Sequence, residues 1–465
     1  MERHRYSPTT DELYQLITQK KATYYTPFFK KYHEADIAEQ LAKLPLSDQY
    51  QFFLNVTPEL GVDVLEEMNL TQQIDFIGTL KTTLAAKYIE EMEPDDAADL
   101  IEELQDTDQS KADDIINALP KAEAKDLQEL LTYKDDSAGS IMTSQYVSIP
   151  ENLTVNDALQ DIRAQNPPDS EISFYIFITD KDHYLLGVTT LRNLLMAKEN
   201  QSVRSIRNDY AIKAHVDDDQ ENIALLFQKY DVVALPVVDN DNRLMGLITV
   251  DDVVDIVIEE ATEDIYKLSG TSEIDEEKLI NGPIIYAVFS RVPWLGLTVL
   301  GGIFASILIT QFSVRFHNAL FPLALSLSFV PMLMGLAGNV GNQSATIVVR
   351  GIATGHLKSD QTIRYILREL FIGTVIGLVT GGLIFILTTY IFRIQTLLVT
   401  IVSVSVILNI VAATVLGVCL PIGFRKLKID PAIASAPFIS TILDIIGQAI
   451  YFFLTLSVIA WLAPL

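Results

Sequence analysis

Asp444 lies near the middle of Ala432–Trp461, the last long apolar stretch of the chain, and no other residue of that stretch carries a charge. A carboxylate at bilayer depth costs about 2.5–3.5 kcal/mol on insertion scales, so it persists where it faces a partner, a cavity or an ion path. At about 1.5 Å of rise per residue it falls about 18 Å from the start of the stretch, close to the midplane. Ser440, Gly447, Gln448 and Tyr451 stand at i−4, i+3, i+4 and i+7 and share its helical face, a polar stripe on an apolar helix. That spacing is the pattern of a helix that lines a pore.

A second polar group interrupts an earlier apolar stretch: Gly335, Gly338, Asn339, Gly341, Asn342, Gln343 and Ser344, preceded by Pro331. Two readings stand: a locally opened helix whose carbonyls face water or an ion, or a seam of small residues for close helix packing. Asp430, just before Pro431, serves equally as a helix-start acid or as a cation contact at the mouth of the last span. A bundle with one midplane carboxylate fits poorly a sodium or proton pump, which carries several titratable groups. A hard cation that keeps its waters needs only one or two carboxylates plus carbonyls. With no His or Cys near Asp444, the donors suit Mg²⁺, Ca²⁺ or Mn²⁺ rather than soft metals.

These residues need spans to carry them, and five stretches are long enough: about Ile284–Thr310, Leu320–Val349, Tyr365–Ile391, Leu397–Ile422 and Ala432–Trp461. The 465 residues divide sharply in charge at Asn281, with four acidic and ten basic residues after it, a net of +6. Before it, 56 acidic residues face 24 basic ones, a net of −32. Such a field attracts cations and repels nucleic acid and anionic lipid. The single cysteine, Cys419, excludes a disulfide framework. The opening residues lack an apolar signal-peptide core, so the soluble part is expected in the cytosol. Basic loops 350–364 and 425–428 then fall inside, which agrees with five spans and an external C-terminus. The protein is expected to be a multi-pass protein of the inner (plasma) membrane.

From Asp36 to Tyr133 a short helical phrase repeats (IAEQLAKLP, AKYIEEMEP, AADLIEELQ, DDIINALP), the mark of stacked short helices. Within it Asp95 and Asp99 fall on one exposed face, where the plainer reading is a helix-start acid. Between Ser140 and Ile258 a second repeat appears. Ile178–Leu195 matches Val237–Val254 with an offset of 59, pairing Asp180 with Asp239, Gly187 with Gly246 and Thr190 with Thr249. Each copy reads as helix, strand, Asp-rich hairpin, strand and helix, and resembles one half of a tandem CBS pair. Gly246, Thr249 and Asp252 resemble the motif with which nucleotide-binding CBS domains hold ribose and phosphate; the first copy has Asn193 where that Asp would fall. ATP therefore stays open as a ligand. Thr249–Leu268 reads as one long helix with Asp251, Asp252, Asp255, Glu259, Glu260, Glu263 and Asp264 almost unpaired by bases. Like charges at i, i+4 destabilise a helix. Either this is a solvated face or divalent cations relieve the repulsion.

Taken in order, these parts describe a multidomain membrane protein: a helical N-terminal superhelix, α/β tandem CBS domains, a long connecting helix and a five-helix membrane domain. The expected boundaries are 1–35 for a more basic extension, 36–135, 136–258, 249–280 for the connecting helix and linker, and 281–465. With the phrases AGNVGNQS and DPAIASAPFISTILDIIG, the chain resembles the MgtE family of bacterial magnesium channels or transporters. The resemblance implies a homodimer whose central pore binds hydrated Mg²⁺ at Asp444 from both subunits, with Asn339, Asn342, Ser440 and Gln448 beside it. It implies that Asp430 meets cations at the cytosolic mouth. It also implies that Asp95, Asp99, Glu221, Asp231, Asp252, Asp255, Glu260 and Glu263 sense cytosolic Mg²⁺ and close the pore. The competing readings are a Na⁺- or H⁺-coupled divalent-cation transporter or exporter, and an adenylate-sensing membrane regulator that conducts nothing. No nucleophile–base set or phosphate loop points to an enzyme.

Overall fold

The computed structural model describes residues 7–19, 24–165, 174–209, 212–271, 276–316, 322–357, 362–391 and 393–462. Parts of the expected N-terminal extension, of the linker after the connecting helix and of the inter-span loops, Lys358 included, lie outside them. The chain forms two compact units that divide at Ile256/Val257, inside the connecting helix.

In the first unit, among the described residues, ten short helices stack in succession from Thr10–Gln19 to Lys121–Leu130, two of them joined in Pro94–Ala118. Each is too short to be stable alone, so its apolar face must be buried on its neighbours. Phe52, Phe53, Phe76 and Tyr88 fill the centre, and the Tyr88 hydroxyl donates to the Phe53 carbonyl at 2.9 Å. Pro94–Ala118 is two helices joined at a kink at Asp108, whose carboxylate accepts from Lys111 N–H at 3.1 Å and caps the second. The described residues of the extension belong to this array: Leu13, Leu16, Ile17, Tyr25, Phe29 and Tyr32 are buried in the same core.

Two three-stranded sheets follow, β1 (Ser148–Pro150), β2 (Tyr175–Thr179) and β3 (Leu185–Thr190), then β4 (Ala214–His215), β5 (Ala234–Val238) and β6 (Leu244–Thr249). In each the outer pair is parallel and the hairpin antiparallel, and the register slips at Ile178/Thr179 and again at Val237/Val238, 59 residues on. The repeat is therefore copied down to its irregularity. The carboxylates of Asp180 and Asp239 each accept two backbone N–H bonds within their own hairpin. The hairpin tips pair with each other, Leu185 N–H to Asn242 O at 3.0 Å and Leu244 N–H to His183 O at 2.9 Å.

The connecting helix is Val250–Ser269. The second unit takes its C-terminal half and five spanning segments, Ile284–Arg315, Leu323–Ala353, Thr362–Tyr390, Thr396–Lys426 and Ala436–Leu462. The fourth is central and packs on the second, third and fifth. Small residues set these approaches: Gly373, Gly377 and Gly381 seat the third span on Thr414 and Ile407 of the fourth, and a Cβ on Gly417 would lie 2.4 Å from the Gly341 carbonyl. Between apolar helices in lipid, such close contact is what holds a bundle together.

Candidate cation path and acidic cluster

The fifth-span helix starts at Ala436 because the carboxylate of Asp430 accepts from Ala432 N–H at 2.7 Å and closes a 3₁₀ turn over Pro431–Ile433. Asp444 thus lies about 12 Å from the helix start. It is half-buried, and it has no hydrogen-bond or ion-pair partner among the described residues. Its helix is held on three sides. Thr441 meets Gly301 of the first span, Leu443 meets Gly341 of the second, and Gly447 lies against Asn409 of the fourth. Ser440 accepts from Asn342 Nδ2 at 3.2 Å.

The second-span helix, Val330–Ala353, is continuous, so the expected local opening is not present. The packing reading holds at Gly338 and Gly341, which touch Ser440 and Leu443, whereas Gly335 has nothing within 4 Å of where a Cβ would sit. Asn342 points at the fifth span, while Asn339, about 60° around the helix, is exposed. Gly335, Asn339, Gln343, Thr346 and Arg350 form an exposed stripe along the second span. The stripe around Asp444 divides differently from expectation. Gln448 is only 1% exposed, its Nε2 lying 3.3 Å from Met334 Sδ, and the Tyr451 hydroxyl donates to the Ser326 carbonyl at 2.9 Å. Both are interior groups behind Asp444 rather than open ones. Three amide oxygens, Asn342 Oδ1 of the second span, Asn409 Oδ1 of the fourth and Gln448 Oε1 of the fifth, are buried without a donor among the described residues, and Asn342 and Asn409 meet the fifth span at Ser440 and Gly447, on either side of Asp444.

Asp444 is not the bundle's single buried acid. Glu369 of the third span is 6% exposed and accepts from Ser344 Oγ at 3.2 Å. Its place in LREL, directly after Arg368 near the start of a span, hid it in the sequence.

In the first unit Asp95 is 8% exposed, not on an open face, and its Oδ1 is buried without a donor among the described residues. Burial, then the charges of Asp252, Asp96 and Glu93, hold its carboxyl well above the usual range. Asp99, one turn on, is exposed. Asp252 is pushed up to about 6, first by burial, although Thr249 N–H and hydroxyl donate to it. The Asp252 carboxylate thus accepts from the Thr249 N–H at the start of the connecting helix, as the acid of a capping box does, and the nucleotide-like motif already has a partner for each group. Glu66 is pushed up to about 7 by burial and by the nearby acids, while accepting from Glu93 N–H at 2.9 Å. Glu66 and Glu93 were not singled out from the sequence; two acids flanking helix ends carry no periodic signal. Glu221 and Asp231 sit at the two ends of helix Gln220–Tyr230, about 15 Å apart, and cannot share a cation within one chain. Asp231 takes the left-handed conformation, φ 50°, that ends that helix, and Asp255 is exposed. In the second unit Glu260 is half-buried and Glu263 pairs with Lys267. Among the described residues no three His, Cys, Asp or Glu side chains converge tightly enough to hold a metal unaided.

Family models agree with this layout: the MgtE divalent cation transporter matches 330–454, the MgtE intracellular N domain 32–136, and the CBS domain 138–200 and 203–259. The magnesium transporter MgtE of Thermus thermophilus is 36% identical over 73% of this chain and 73% of its own length. That of Bacillus subtilis is 31% identical over 90% of each. The chain belongs to the MgtE family of magnesium transporters. The soluble part of a magnesium transporter, known from a crystal structure, superposes with a TM-score of 0.50 at 29% identity, covering 54% of this chain and 99% of that one. The cytosolic domain of the Mg²⁺ channel MgtE in complex with ATP gives 0.50 at 28%, over 53% and 99%. Membership in MgtE fixes a membrane-spanning magnesium transporter with CBS domains.

The acidic cluster gives this MgtE member a pH dependence with a definite sign. Carboxyls whose folded pKa is raised bind protons more readily folded than unfolded, so their stability contribution is present at low pH and lost as pH rises through the folded values, here about 6 to 7. Without divalent cations, the unfolding temperature of the soluble domains rises by about 3–6 °C between pH 7.5 and 5.5, equivalent to about 1–2 kcal/mol. Mg²⁺ stabilises most at pH 7.5. Thermal unfolding of the full-length protein followed across this range checks both statements; an unfolding temperature that falls on acidification contradicts them.

Proposed function

We propose that this chain forms, as a homodimer in the plasma membrane, a Mg²⁺ channel whose pore is lined by the second and fifth spans and which closes when cytosolic Mg²⁺ binds its acidic domains. The observation that carries the reading is Asp444: a half-open carboxylate without a partner among the described residues, beside a second span that exposes Asn339 and Gln343. An open polar stripe along an apolar helix requires either water or a second protein surface. A two-fold partner supplies both, and the hydrated divalent cation is the ligand that one carboxylate and several amide oxygens suit. The naming of relatives as magnesium transporters supports the cargo. Basic residues Arg350, Arg425, Lys426 and Lys428 support cytosolic soluble domains and an external C-terminus. ATP binding at the CBS pair rests on the similar cytosolic domain solved with ATP. In this chain the Thr249 hydroxyl would have to leave Asp252 to meet a ribose.

Asp95 with Asp252, joined by Glu93 and Glu66, forms the first sensor site in this reading, and the acids farther along the connecting helix form the next. Each site biases closure only by its difference in affinity between states, and a swing from 1:99 to 99:1 takes about 5.5 kcal/mol in total. Several sites must therefore act together. One feature favours the coupled-transporter reading: the second membrane-embedded carboxylate, Glu369. Uptake that is indifferent to Na⁺ and pH gradients separates the channel from it.

In liposomes Asp444→Ala lowers Mg²⁺ uptake by roughly tenfold or more while the protein stays folded and dimeric, because a charge is lost and no packing contact is. Asp444→Asn keeps a hydrogen-bonding group but loses preference for divalent ions. Wild-type uptake by Asp444→Ala overturns the proposal. Neutralising Asp252 and Asp255 together, with Asn at both positions, leaves channels open at Mg²⁺ levels that close the wild type and weakens Mg²⁺-dependent protection from proteolysis. Closure at the unchanged Mg²⁺ concentration removes the sensor assignment and spares that of Asp444.

A further inference from the structure

Lys267 is the only base in the connecting helix Val250–Ser269, which carries seven acids. Its ammonium meets two carboxylates at once, Glu263 one turn earlier on its own helix and Asp430 Oδ2 at 2.7 Å at the entrance to the fifth span. All three side chains are largely enclosed, 27% exposed for Lys267, 18% for Glu263 and 34% for Asp430. The other Asp430 oxygen is committed to Ala432 N–H, so the carboxylate is fixed with Oδ2 turned to the ammonium. Asp264, the next residue, is pushed up to about 6 by burial and by the charges of Asp430 and Glu260, with Arg350 opposing. Three residues beyond Lys267 the helix ends at Gly270, φ 81°, packed so closely on Pro437 of the fifth span that a Cβ would lie 2.6 Å from its ring, with Trp294 alongside. The helix end is thus docked on the spans by one packed glycine and one ion pair.

We propose that Lys267 is the resident cation of the inner mouth: a positioning residue that holds Asp430 and Glu263 in the docked arrangement without metal, and that a divalent cation must displace to bind there. This rests on the reading that these carboxylates meet cations in a Mg²⁺ pathway. An ammonium between two carboxylates supplies the charge-assisted bonds that an ion would otherwise supply, and two carboxylates left without it repel. Docking at this mouth therefore has a part that needs no Mg²⁺, and the affinity of the mouth for Mg²⁺ is set by competition with a tethered amine. Removing the amine makes docking depend wholly on the ion and makes the ion bind more tightly.

Trp294, beside Gly270, reports docking, and Trp461→Phe leaves it as the single tryptophan. Acrylamide quenching of Trp294 is measured on the purified full-length protein in this background, first in EDTA and then over a MgCl₂ titration. In EDTA, Lys267→Gln raises the quenching constant by about twofold while Lys267→Arg stays at the parent value. Mg²⁺ returns Lys267→Gln to the parent level, with a midpoint several-fold below the parent's. Asp430→Asn, which cuts the same bond from the other side, also raises quenching in EDTA, which keeps the test sound should one variant fold poorly. Quenching in EDTA that Lys267→Gln leaves unchanged, or an unchanged Mg²⁺ midpoint, overturns the proposal. The EDTA measurement needs no transport, so it decides the latch even where liposomes show no Mg²⁺ flux, and an unchanged signal there leaves the Asp444 pathway standing.

Discussion

An ionised carboxylate without a donor is tolerated inside a bilayer only where water or a cation reaches it, and the membrane unit is arranged around that constraint at Asp444. Its helix is clamped by glycine contacts to the first, second and fourth spans, so that the carboxylate sits on rigid backbone. Gln448 and Tyr451, which share its face, are buried and bonded inward, which places the polar interior directly behind the acid. The fourth span takes the central position and carries no charge before its basic inner end, leaving the second and fifth to present polar groups. In the proposed function these hard oxygen donors would favour an ion that keeps part of its hydration shell.

The soluble unit applies the same physics outside the membrane. Asp95, Asp252, Glu66 and Glu93 are crowded together with raised proton affinities, which means that charging them carries a cost borne by the fold. A proton relieves that cost, and in the proposed function a divalent cation does the same. Asp252 has two duties that reinforce each other: it caps the connecting helix through Thr249, and it faces Asp95. The start of the helix and the acidic cluster are therefore coupled through one side chain. At the other end of that helix the Lys267 ammonium stands between the carboxylates of Glu263 and Asp430 and offsets their repulsion.

Much of the architecture was legible because it is periodic. Hydropathy marked the spans, helical phrases marked the superhelix, and an offset of 59 residues marked the CBS pair down to its hairpin aspartates. What periodicity does not carry was missed or misread. The packing role of residues 7–19 and 24–32 depends on which core receives Leu13 and Tyr25. The burial of Glu369 depends on Ser344 lying opposite, and the Lys267–Asp430 pair joins residues 163 apart in sequence. The glycines and amides of the second span suggested a broken helix because each weakens a helix alone. The close contacts at Gly338 and Gly341 show why the helix survives: those glycines admit Ser440 and Leu443.

The central claim is that Asp444 and the open face of the second span share one water-filled cation path. The most direct test is chemical access to that face. In Asn339→Cys with Cys419→Ser, a hydrophilic thiol reagent reacts with the folded protein in liposomes, Mg²⁺ slows the reaction, and Asp444→Ala abolishes the slowing. Reaction only after denaturation, or a rate that Mg²⁺ leaves unchanged with Asp444 present, would contradict the account.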